Sequence, residues 1–262
     1  RQNPQISQPL LIGNNGLLGQ TNFNPQRKTV VLVHGWLDNV SSAFNSVLVP
    51  AYLEAEDVNV IVVDWSAGAA TINYVAAVTN TVPAGESAAR FLNSLIAVTG
   101  ASLGNFHFIG HSLGGHQVGI IGRNLGGQVS YITALEPLFT GWITNDNKFS
   151  SEDGVYTEVI HTSAGAMGYL SPLGRVDFYP NGGINMPGCQ STDCDHARAY
   201  FYMAESIVSS GFLGTRCASY ITAMTGNCIL LGGLRMGGTV PKPASSGIFY
   251  LETNASPPFS RN

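Results

Sequence analysis

The stretch Gly110-His111-Ser112-Leu113-Gly114-Gly115-His116 decides the predicted fold. It follows residues 106–109, an aromatic and β-branched run typical of a buried strand, and precedes residues 117–125, which carry a weak helical pattern. A Gly-x-Ser-x-Gly segment between a strand and a helix is typical of a nucleophile elbow, which lifts the serine hydroxyl above the sheet edge. In a chain with 31 glycines the motif alone is a weak signal, and the alternative is a turn without chemistry. The flanking strand and helix favour the elbow, with Ser112 as the candidate nucleophile.

Apolar strand patterns alternate with helical patterns along most of the chain. Strands are predicted over residues 29–33, 59–64, 106–110, 129–135, 156–160 and 176–179, and helices over residues 41–56, 84–98, 117–125 and 195–209. This alternation predicts an α/β fold with a mostly parallel sheet and helices on both faces. Residues 1–28 form a polar N-terminal arm with room for one edge strand at Leu10-Leu11-Ile12, and the glycine-rich part from Gly211 is expected to form edge strands and loops. Asp195 is the expected N-cap of the last helix. No linker interrupts the pattern, so we expect a single domain over residues 1–262.

The amino-acid composition argues against several classes of protein. Hydrophobic residues make up 44% of the 262 residues, which favours a globular protein over a disordered one. The net charge is −4 and no basic run occurs, so nucleic acid is not an expected partner. The sequence contains no run of eighteen apolar residues, and no transmembrane segment is therefore predicted.

Three weak features point to secretion. The chain opens Arg1-Gln2-Asn3-Pro4 without a methionine, which suggests a mature form whose leader has been removed. Two glycosylation sequons occur, Asn39-Val40-Ser41 and Asn254-Ala255-Ser256, although chance readily produces such triplets. The low lysine count would suit a protease-rich lumen such as a gut.

Four cysteines fall in two close pairs, Cys189 with Cys194 and Cys217 with Cys228. Three connectivities are open, and the local one is the simplest; in an oxidising compartment it makes two short-loop disulfides. A zinc site is the alternative. The spacings of four and ten intervening residues do not repeat, which disfavours zinc.

A nucleophilic serine needs an acid and a base, which in hydrolases of this architecture follow it in the order serine, acid, histidine. The chain has six histidines. Four precede the elbow or lie inside it and are expected to have structural or packing roles: His34, His107, His111 and His116. The remaining candidates for the base are His161, at the end of a strand, and His196, at the start of a helix.

A series of short motifs extends over nearly the whole chain. In order they are Val33-His34-Gly35-Trp36, Val63-Asp64-Trp65, Ile109-Gly110-His111-Ser112-Leu113-Gly114, Ile132-Thr133-Ala134-Leu135-Glu136-Pro137, Val159-Ile160-His161-Thr162, Val176-Asp177-Phe178-Tyr179-Pro180-Asn181-Gly182-Gly183, Pro187-Gly188-Cys189, Cys194-Asp195-His196 and Cys217-Ala218-Ser219-Tyr220. From Val30 to about Thr253 this series resembles the animal pancreatic-lipase family. So many motifs in one order make the resemblance specific.

The resemblance implies an α/β-hydrolase fold and a secreted esterase that acts on lipid esters without a cofactor. Carried over residue by residue, it implies that Ser112 is the nucleophile, His196 the general base, and Glu136 the residue at the position of the acid. It also implies that Trp36 and Leu113 supply the oxyanion N–H groups. The general rule for this architecture agrees with it, because that rule uses the residue after the nucleophile and one from an early loop.

The acid position departs from the family pattern. The family has Gly-Leu-Asp-Pro where this chain has Ala134-Leu135-Glu136-Pro137. A carboxylate one methylene longer can serve if the backbone lies slightly farther back, and other α/β-hydrolases use Glu. Glu158, near the end of the next strand, is the alternative acid. Glu136 ranks first because it occupies the aligned position and precedes the family's proline.

Other departures concern the surroundings of the site. The family lid lies between the two cysteines before the catalytic histidine, where this chain has only residues 190–193; the loop over residues 163–175 is also shortened. The family's calcium loop is thinned, with Asp153 kept but Lys148 and Ser150 at neighbouring positions, so no metal is expected. The C-terminal β-sandwich is expected to be absent, and with it any colipase partner.

These departures favour the phospholipase A1 and galactolipase branch, with an open site and a lipid ester as substrate. The competing hypothesis is a non-catalytic relative that stores nutrients or binds ligands, as insect yolk proteins of this family do. Such relatives have usually lost the serine, whereas Ser112 and His196 are both present here. The sequence does not determine the oligomeric state or the head-group preference.

Overall fold

The computed structural model describes residues 3–261; Arg1 and Gln2 of the N-terminal arm, and Asn262, lie outside the described residues. Its strands form one nine-stranded sheet in the order β2-β1-β3-β4-β5-β6-β9-β7-β8. The strands are β1 (Thr29–Val33), β2 (Asn59–Val63), β3 (Phe106–His111), β4 (Tyr131–Leu135), β5 (Tyr156–Ile160), β6 (Val176–Pro180), β7 (Leu213–Cys217), β8 (Gly233–Arg235) and β9 (Gly247–Leu251). Strand β7 is antiparallel to β8 and β9, and every other neighbouring pair is parallel.

Helices cover both faces of this sheet. They are α1 (Asn15–Leu18), α2 (Ala43–Ala55), α3 (Ser66–Ala69), α4 (Tyr74–Thr99), α5 (Leu113–Asn124), α6 (Thr192–Val208) and α7 (Tyr220–Met224). Helices α4 and α5 pack against one face, and α2 and α6 against the other, each over its own apolar core. Strand β1 is buried along its whole length, as its continuous apolar run predicts. The predicted fold class is therefore confirmed.

The carboxyl ends of the parallel strands lie along one edge of the sheet. Strand β1 pairs with β2 and β3, and β3 pairs with β4, so the loops that follow β1, β3 and β4 are neighbours. In open parallel sheets this edge is where ligands bind. The elbow, the early loop and the strand end that carries Glu136 all meet there.

Helix α4 is longer than the predicted helix over residues 84–98. It begins at Tyr74 because the Asn73 side chain caps it, accepting the Ala76 N–H at 3.2 Å. Pro83 lies inside the helix, where a proline removes one backbone donor. Packing of the first half compensates, since Ala77 and Thr81 are buried and the Asn80 amide donates to the Gly68 carbonyl at 3.1 Å.

Two smaller predictions were wrong. Among residues 3–28 the only regular element is α1, so the edge strand predicted at residues 10–12 is not present. The N-cap of α6 is Ser191 rather than Asp195, because the Ser191 side chain accepts the Cys194 N–H at 3.2 Å. In the glycine-rich part, β7 and β8 form the predicted edge, whereas β9 lies between β6 and β7 inside the sheet.

Both predicted disulfides are present. Cys189 is bonded to Cys194 and Cys217 to Cys228, which leaves no free cysteine among the described residues. The first bond joins the loop before α6 to the first turn of that helix. The second joins β7 to the segment that follows α7.

Across residues 3–261, none of the helices combines the length and the apolar character that crossing a bilayer requires.

Candidate functional site

Ser112 lies at the sharp turn between β3 and α5. Its φ is 62° and its ψ is −123°, a backbone conformation that a non-glycine residue rarely adopts. A Cβ atom on Gly110 would overlap the Gly114 carbonyl, and one on Gly114 would overlap the carbonyl oxygen of Val33. Both glycines of the motif are thus required by close backbone contacts, and the predicted elbow geometry is present.

The loop after β1 passes directly beside Ser112. A Cβ atom on Gly35 would lie 2.8 Å from the Ser112 Cβ and 3.2 Å from its Oγ, so only glycine fits. The next residue, Trp36, is held by its indole N–H, which donates to the Thr71 carbonyl at 2.7 Å. Its ring also packs edge-on against Tyr74, with centroids 5.0 Å apart. These contacts hold the Trp36 backbone close to the nucleophile.

His34 connects this loop to Trp65 through hydrogen bonds. The Trp65 N–H donates to His34 Nε2 at 3.3 Å, which places the ring proton on Nδ1, and Nδ1 then donates to the Gly35 carbonyl at 3.1 Å. The Trp65 indole N–H donates to the His34 carbonyl at 2.8 Å. Burial lowers the pKa of His34, which keeps the ring neutral. The structural role predicted for His34 fits these contacts.

Two backbone N–H groups near Ser112 have no acceptor among the hydrogen bonds of residues 3–261. Leu113 is the first residue of α5, so its N–H lacks a partner within the helix. The backbone N–H of Trp36 has no acceptor among the hydrogen bonds of residues 3–261. An N–H pair at a helix start and in a neighbouring loop is the arrangement that stabilises a tetrahedral oxyanion.

His196 is brought beside the elbow through His111. His196 is the fifth residue of α6, and its carbonyl accepts a hydrogen bond from His111 Nε2 at 3.0 Å. The two rings lie with centroids 4.5 Å apart. Because His111 immediately precedes Ser112, this contact ties the base candidate to the elbow, although no hydrogen bond joins Ser112 to His196 among the described residues. Ser112 and His196 each expose 7% of their surface.

The two adjacent imidazoles are electrically neutral at neutral pH. Burial lowers the pKa of His196 well below its usual range, and the charge of a protonated His111 would lower it further. Burial also lowers the pKa of His111. A neutral imidazole is the form that a general base needs. The Nδ1 atoms of both rings are buried without a hydrogen-bond partner among the described residues.

Glu136 follows β4 with a φ of 48° and is fully buried. Its Oε2 atom accepts hydrogen bonds from the Thr162 N–H, from the Thr162 hydroxyl at 2.6 Å and from the Ser163 N–H at 2.5 Å. Burial raises the pKa of Glu136 to about 7, although the Thr162 hydrogen bonds oppose this rise. The other oxygen, Oε1, is buried without a partner, and no hydrogen bond joins Glu136 to His196 among the described residues.

Glu158, the alternative acid, forms its hydrogen bonds and its ion pair with other residues. It lies buried in β5, where its Oε2 accepts the Tyr156 hydroxyl at 2.5 Å and pairs with Lys242 Nζ at 2.7 Å. Its Oε1 accepts the Gly237 N–H at 2.6 Å. Both oxygens are therefore occupied by groups outside the elbow, which disfavours Glu158 as the partner of His196.

His161, the other candidate base, belongs to a separate buried pair. Its Nε2 lies 2.9 Å from Asp177 Oδ1 and its Nδ1 2.9 Å from the Tyr169 carbonyl. The ring stacks on Tyr179 with centroids 4.2 Å apart. Both ring nitrogens have partners, and the pair ties Tyr169 in the 163–175 loop to strand β6.

Two further histidines pack as predicted. The His107 ring contacts Thr133 through a 2.8 Å hydrogen bond between Nε2 and Oγ1. His116 Nε2 donates to the Leu138 carbonyl at 2.7 Å, and its Nδ1 accepts the Phe149 N–H at 3.1 Å. These rings join neighbouring elements, and neither has a hydrogen bond to Ser112 among the described residues.

The residues of the thinned calcium loop are engaged with one another. Asp153 is almost fully buried, pairs with Arg123 at 2.9 Å and accepts the Ser150 N–H at 2.8 Å. Burial raises the pKa of Asp153 to about 6. In the part of the chain that the structure describes, no three His, Cys, Asp or Glu side chains cluster as metal ligands would. The absence of calcium stays a prediction: the melting temperature should not respond to EDTA.

Sequence reasoning missed two features of this site. Thr162 lies within a quoted motif, but the role of its N–H and hydroxyl as donors to Glu136 was not foreseen. The contact of His111 with the His196 carbonyl was missed as well, since the two residues are 85 positions apart. No local pattern signals either contact.

Comparison with known proteins shows that the chain is similar to several lipases. Bovine (Bos taurus) pancreatic lipase-related protein 2 is 36% identical over 256 residues, covering 87% of this chain and 54% of the relative. Lipase member H of Xenopus tropicalis is 34% identical over 249 residues, with coverages of 87% and 52%. Pancreatic triacylglycerol lipase of Myocastor coypus is 32% identical over 289 residues, with coverages of 96% and 63%. The chain thus spans a little over half the length of these relatives. Since the family model described as Lipase matches residues 2–259, nearly the whole chain, the protein belongs to the lipase family.

Proposed function

We propose that the chain hydrolyses carboxylic esters of lipids, with Ser112 as nucleophile, His196 as general base and Glu136 as the acid that orients His196. The observation that carries the proposal is the pairing of a strained nucleophile elbow with a neutral histidine held beside it. Trp36 and Leu113 are the proposed oxyanion donors. The same roles follow from the resemblance of the motifs to the family.

The reaction would proceed in two halves. Ser112 Oγ attacks the ester carbonyl carbon while His196 Nε2 takes the hydroxyl proton, and the Trp36 and Leu113 N–H groups hydrogen-bond the oxyanion. The carbon–oxygen bond to the alcohol then breaks, the alcohol leaves with the proton from His196, and the acyl group stays on Ser112. Water, deprotonated by His196, attacks the acyl carbon, which releases the fatty acid and restores the serine.

Glu136 would act through the histidine. A triad acid accepts the Nδ1 hydrogen bond, fixes the ring tautomer and stabilises the imidazolium that forms during the reaction. The two atoms that this role needs, Glu136 Oε1 and His196 Nδ1, are both buried without another partner. Each of these atoms thus remains available for the hydrogen bond that the pairing requires.

Apolar side chains near the site support a lipid substrate. Leu37 follows Trp36, and Ile72, which is 93% exposed, follows the Thr71 carbonyl that holds the Trp36 indole. Val75 on the first turn of α4 is also largely exposed. Apolar groups on the loops beside a reactive serine suit contact with acyl chains.

We further propose a phospholipid or galactolipid A1-type preference, with neutral lipid as the alternative substrate. Residues 190–193, the only ones between the two cysteines, are used at the start of α6: Ser191 caps the helix, and Thr192 and Asp193 lie in its first turn. They are not free to cover Ser112. A site that residues 190–193 leave uncovered suits substrates with polar head groups.

We propose that the protein is secreted. Two disulfides favour an oxidising compartment. Of the two sequons, Asn39 is exposed, and only its side-chain oxygen is used, in a bond from the Ser41 N–H at 2.8 Å. The Asn254 amide nitrogen instead donates to the carbonyls of Pro258 and Ser260. A glycan is therefore proposed at Asn39 rather than Asn254.

A fluorophosphonate probe and an ester assay test the function. We expect the probe to label the protein at Ser112, the Ser112→Ala variant to stay unlabelled, and a soluble short-chain ester to be hydrolysed only by the wild type. A phospholipid with two different acyl chains tests the positional preference, and the chain at the first position should be released. If the wild type showed neither labelling at Ser112 nor turnover of the ester, the proposal would be overturned.

The second candidate is a storage or ligand-binding protein without catalysis. The observation in its favour is that Glu136 hydrogen-bonds Thr162 and Ser163 and has no hydrogen bond to His196. Under this candidate Ser112 stays unlabelled, but a fluorescent fatty acid or phospholipid binds with 1:1 stoichiometry. The same two measurements thus separate the two functions.

A further inference from the structure

We propose that Gly168 is a positioning residue for Glu136: the missing side chain at 168 leaves the space that the longer carboxylate at 136 occupies. The two positions are then sterically coupled, so that each restricts which residue the other can hold. This inference rests on the proposed function, in which Glu136 is the acid of the triad.

The contact between the two residues is direct. A Cβ atom added to Gly168 would overlap Oε1 and the carboxyl carbon of Glu136, and it would lie 3.3 Å from the Glu136 Cγ. The overlapped oxygen is the one without a hydrogen-bond partner. Gly168 therefore borders the Glu136 oxygen that has no hydrogen-bond partner, and any side chain at 168 displaces that oxygen.

Moving the Glu136 side chain away from Gly168 would be energetically costly. It is fully buried, and its Oε2 is held by three donors from Thr162 and Ser163. Rotation of the carboxylate would break these hydrogen bonds inside the protein, where an unpaired buried acceptor is destabilising. The carboxylate is thus fixed at one end and confined at the other.

The backbone at Gly168 cannot retreat either. The Tyr169 N–H donates to the Pro137 carbonyl at 2.7 Å, and the Phe139 N–H donates to the Met167 carbonyl at 2.9 Å. The Gly168 N–H itself donates to the Ser163 carbonyl at 3.1 Å. Residues on both sides of Gly168 are thereby tied to the segment that directly follows Glu136.

This geometry explains how a glutamate fits a position where the family motif has aspartate. Aspartate is one methylene shorter, so it would end before the space beside Gly168. The aspartate carboxyl carbon would take the place of the Glu136 Cγ, 3.3 Å from a Cβ atom at 168, and the shorter side chain can turn its oxygens away from that atom. Gly168→Ala should therefore be harmful in the wild-type background and tolerated in the Glu136→Asp background.

A four-variant cycle tests the coupling: wild type, Gly168→Ala, Glu136→Asp and the double variant. Turnover of a soluble short-chain ester and the melting temperature are measured for each. We expect Gly168→Ala to lower kcat about 10²-fold with little change in KM, because a carboxylate displaced by about 1 Å orients the base poorly. It should also lower the melting temperature by roughly 5 °C through overpacking.

Rescue is the decisive readout. The double variant should match Glu136→Asp in kcat within about threefold and in melting temperature within about 1 °C, since the added Cβ then has room. Ala166→Ser is the matched control, because it adds one atom to the same loop at an exposed position and should change neither quantity. A purely structural role for Gly168 would give the same loss in both backgrounds.

The outcomes separate this inference from the proposed function. If the wild type shows no turnover and no labelling at Ser112, the proposed function fails, while the melting temperatures still decide whether the two positions are coupled. Wild-type activity and stability in Gly168→Ala, or equal losses in both backgrounds, would overturn the coupling and leave the function standing. Failure of both Gly168→Ala and the double variant to fold counts as equal losses.

Discussion

At the scale of single residues, two buried glutamates on neighbouring strands have opposite surroundings. Among the described residues, Glu136 has one oxygen without a hydrogen-bond partner and no cation in hydrogen-bond contact, whereas both oxygens of Glu158 have partners and one of them pairs with Lys242. Their similar placement near strand ends made them competing acids in the sequence. The difference in partners predicts different consequences when each is made neutral.

Glu136→Gln should lower kcat by about 10⁴ and leave the fold intact, because removing the charge of a triad acid costs about this factor. Glu158→Gln should instead keep turnover but lower the free energy of unfolding by about 3 kcal/mol, since Lys242 would lose its buried partner. Steady-state kinetics and urea unfolding of both variants check these expectations. Loss of turnover in Glu158→Gln at a temperature where it is folded would contradict the assignment of the acid.

The raised pKa of Glu136 predicts a pH dependence of stability. Burial raises the pKa from 4.5 to about 7, so the neutral acid is favoured in the folded state. The associated stability is fully present below pH 4.5 and is lost as the pH rises through 7, a change of about 3 kcal/mol. Urea unfolding from pH 4 to pH 8 should show this loss in the wild type relative to Glu136→Gln. Parallel curves for the two proteins would mean that Glu136 does not titrate as proposed.

At the scale of elements, the start of α6 determines where His196 lies relative to the elbow. The helix carries His196 in its second turn, and its first turn is tied to the preceding loop by the Cys189–Cys194 disulfide. The Asp195 side chain also accepts the Met186 N–H at 2.6 Å. These contacts set the position of the helix end relative to the elbow, and the second disulfide has no such connection.

Replacing each disulfide by two serines should therefore have different effects. Loss of Cys189–Cys194 should lower the free energy of unfolding by about 2 kcal/mol and also lower kcat, because the His196 backbone becomes less ordered. Loss of Cys217–Cys228 should cost about 3 kcal/mol and leave kcat unchanged. Kinetics and urea unfolding of the two double variants test this, and equal effects on kcat would show that the first disulfide does not position the base.

At the scale of the whole molecule, the sheet gathers the site from distant parts of the chain. The loops after β1 and β3 and the segment after β4 meet at one edge, and α6 brings the base from the opposite face to α5. The loop over residues 163–175 lies against Glu136 at this edge, and it is held by the His161–Asp177 pair and by Tyr169. Such a pinned loop has little freedom to act as a lid.

The rate should consequently rise smoothly with substrate concentration. A mobile lid would produce a jump in rate where a short-chain ester passes its solubility limit, and residues 190–193 are built into α6 and its cap. Initial rates measured across that limit check the expectation. A sharp activation would show that the 163–175 loop opens despite its hydrogen bonds.

The sequence by itself determined the features that depend on contiguous residues. The strand before Ser112, the glycines of the turn and the helix after it were predictable, because a strand–turn–helix is specified by local backbone preferences and apolar periodicity. The disulfides were predictable because the paired cysteines are close in sequence: they are 5 positions apart in the first disulfide and 11 in the second. Helix boundaries were less predictable: α4 extends to Tyr74 because the Asn73 cap and packing outweigh the proline inside its first half.

Only the tertiary structure decided which side chains surround the reactive groups. Glu136 meets Thr162 across 26 positions, and His111 meets the His196 carbonyl across 85, because strand order and helix packing place them together. The commitment of Glu158 to Lys242 and the space beside Gly168 follow from the same folding of distant segments. No residue pattern encodes these contacts, since each depends on the relative position of two elements rather than on either one alone.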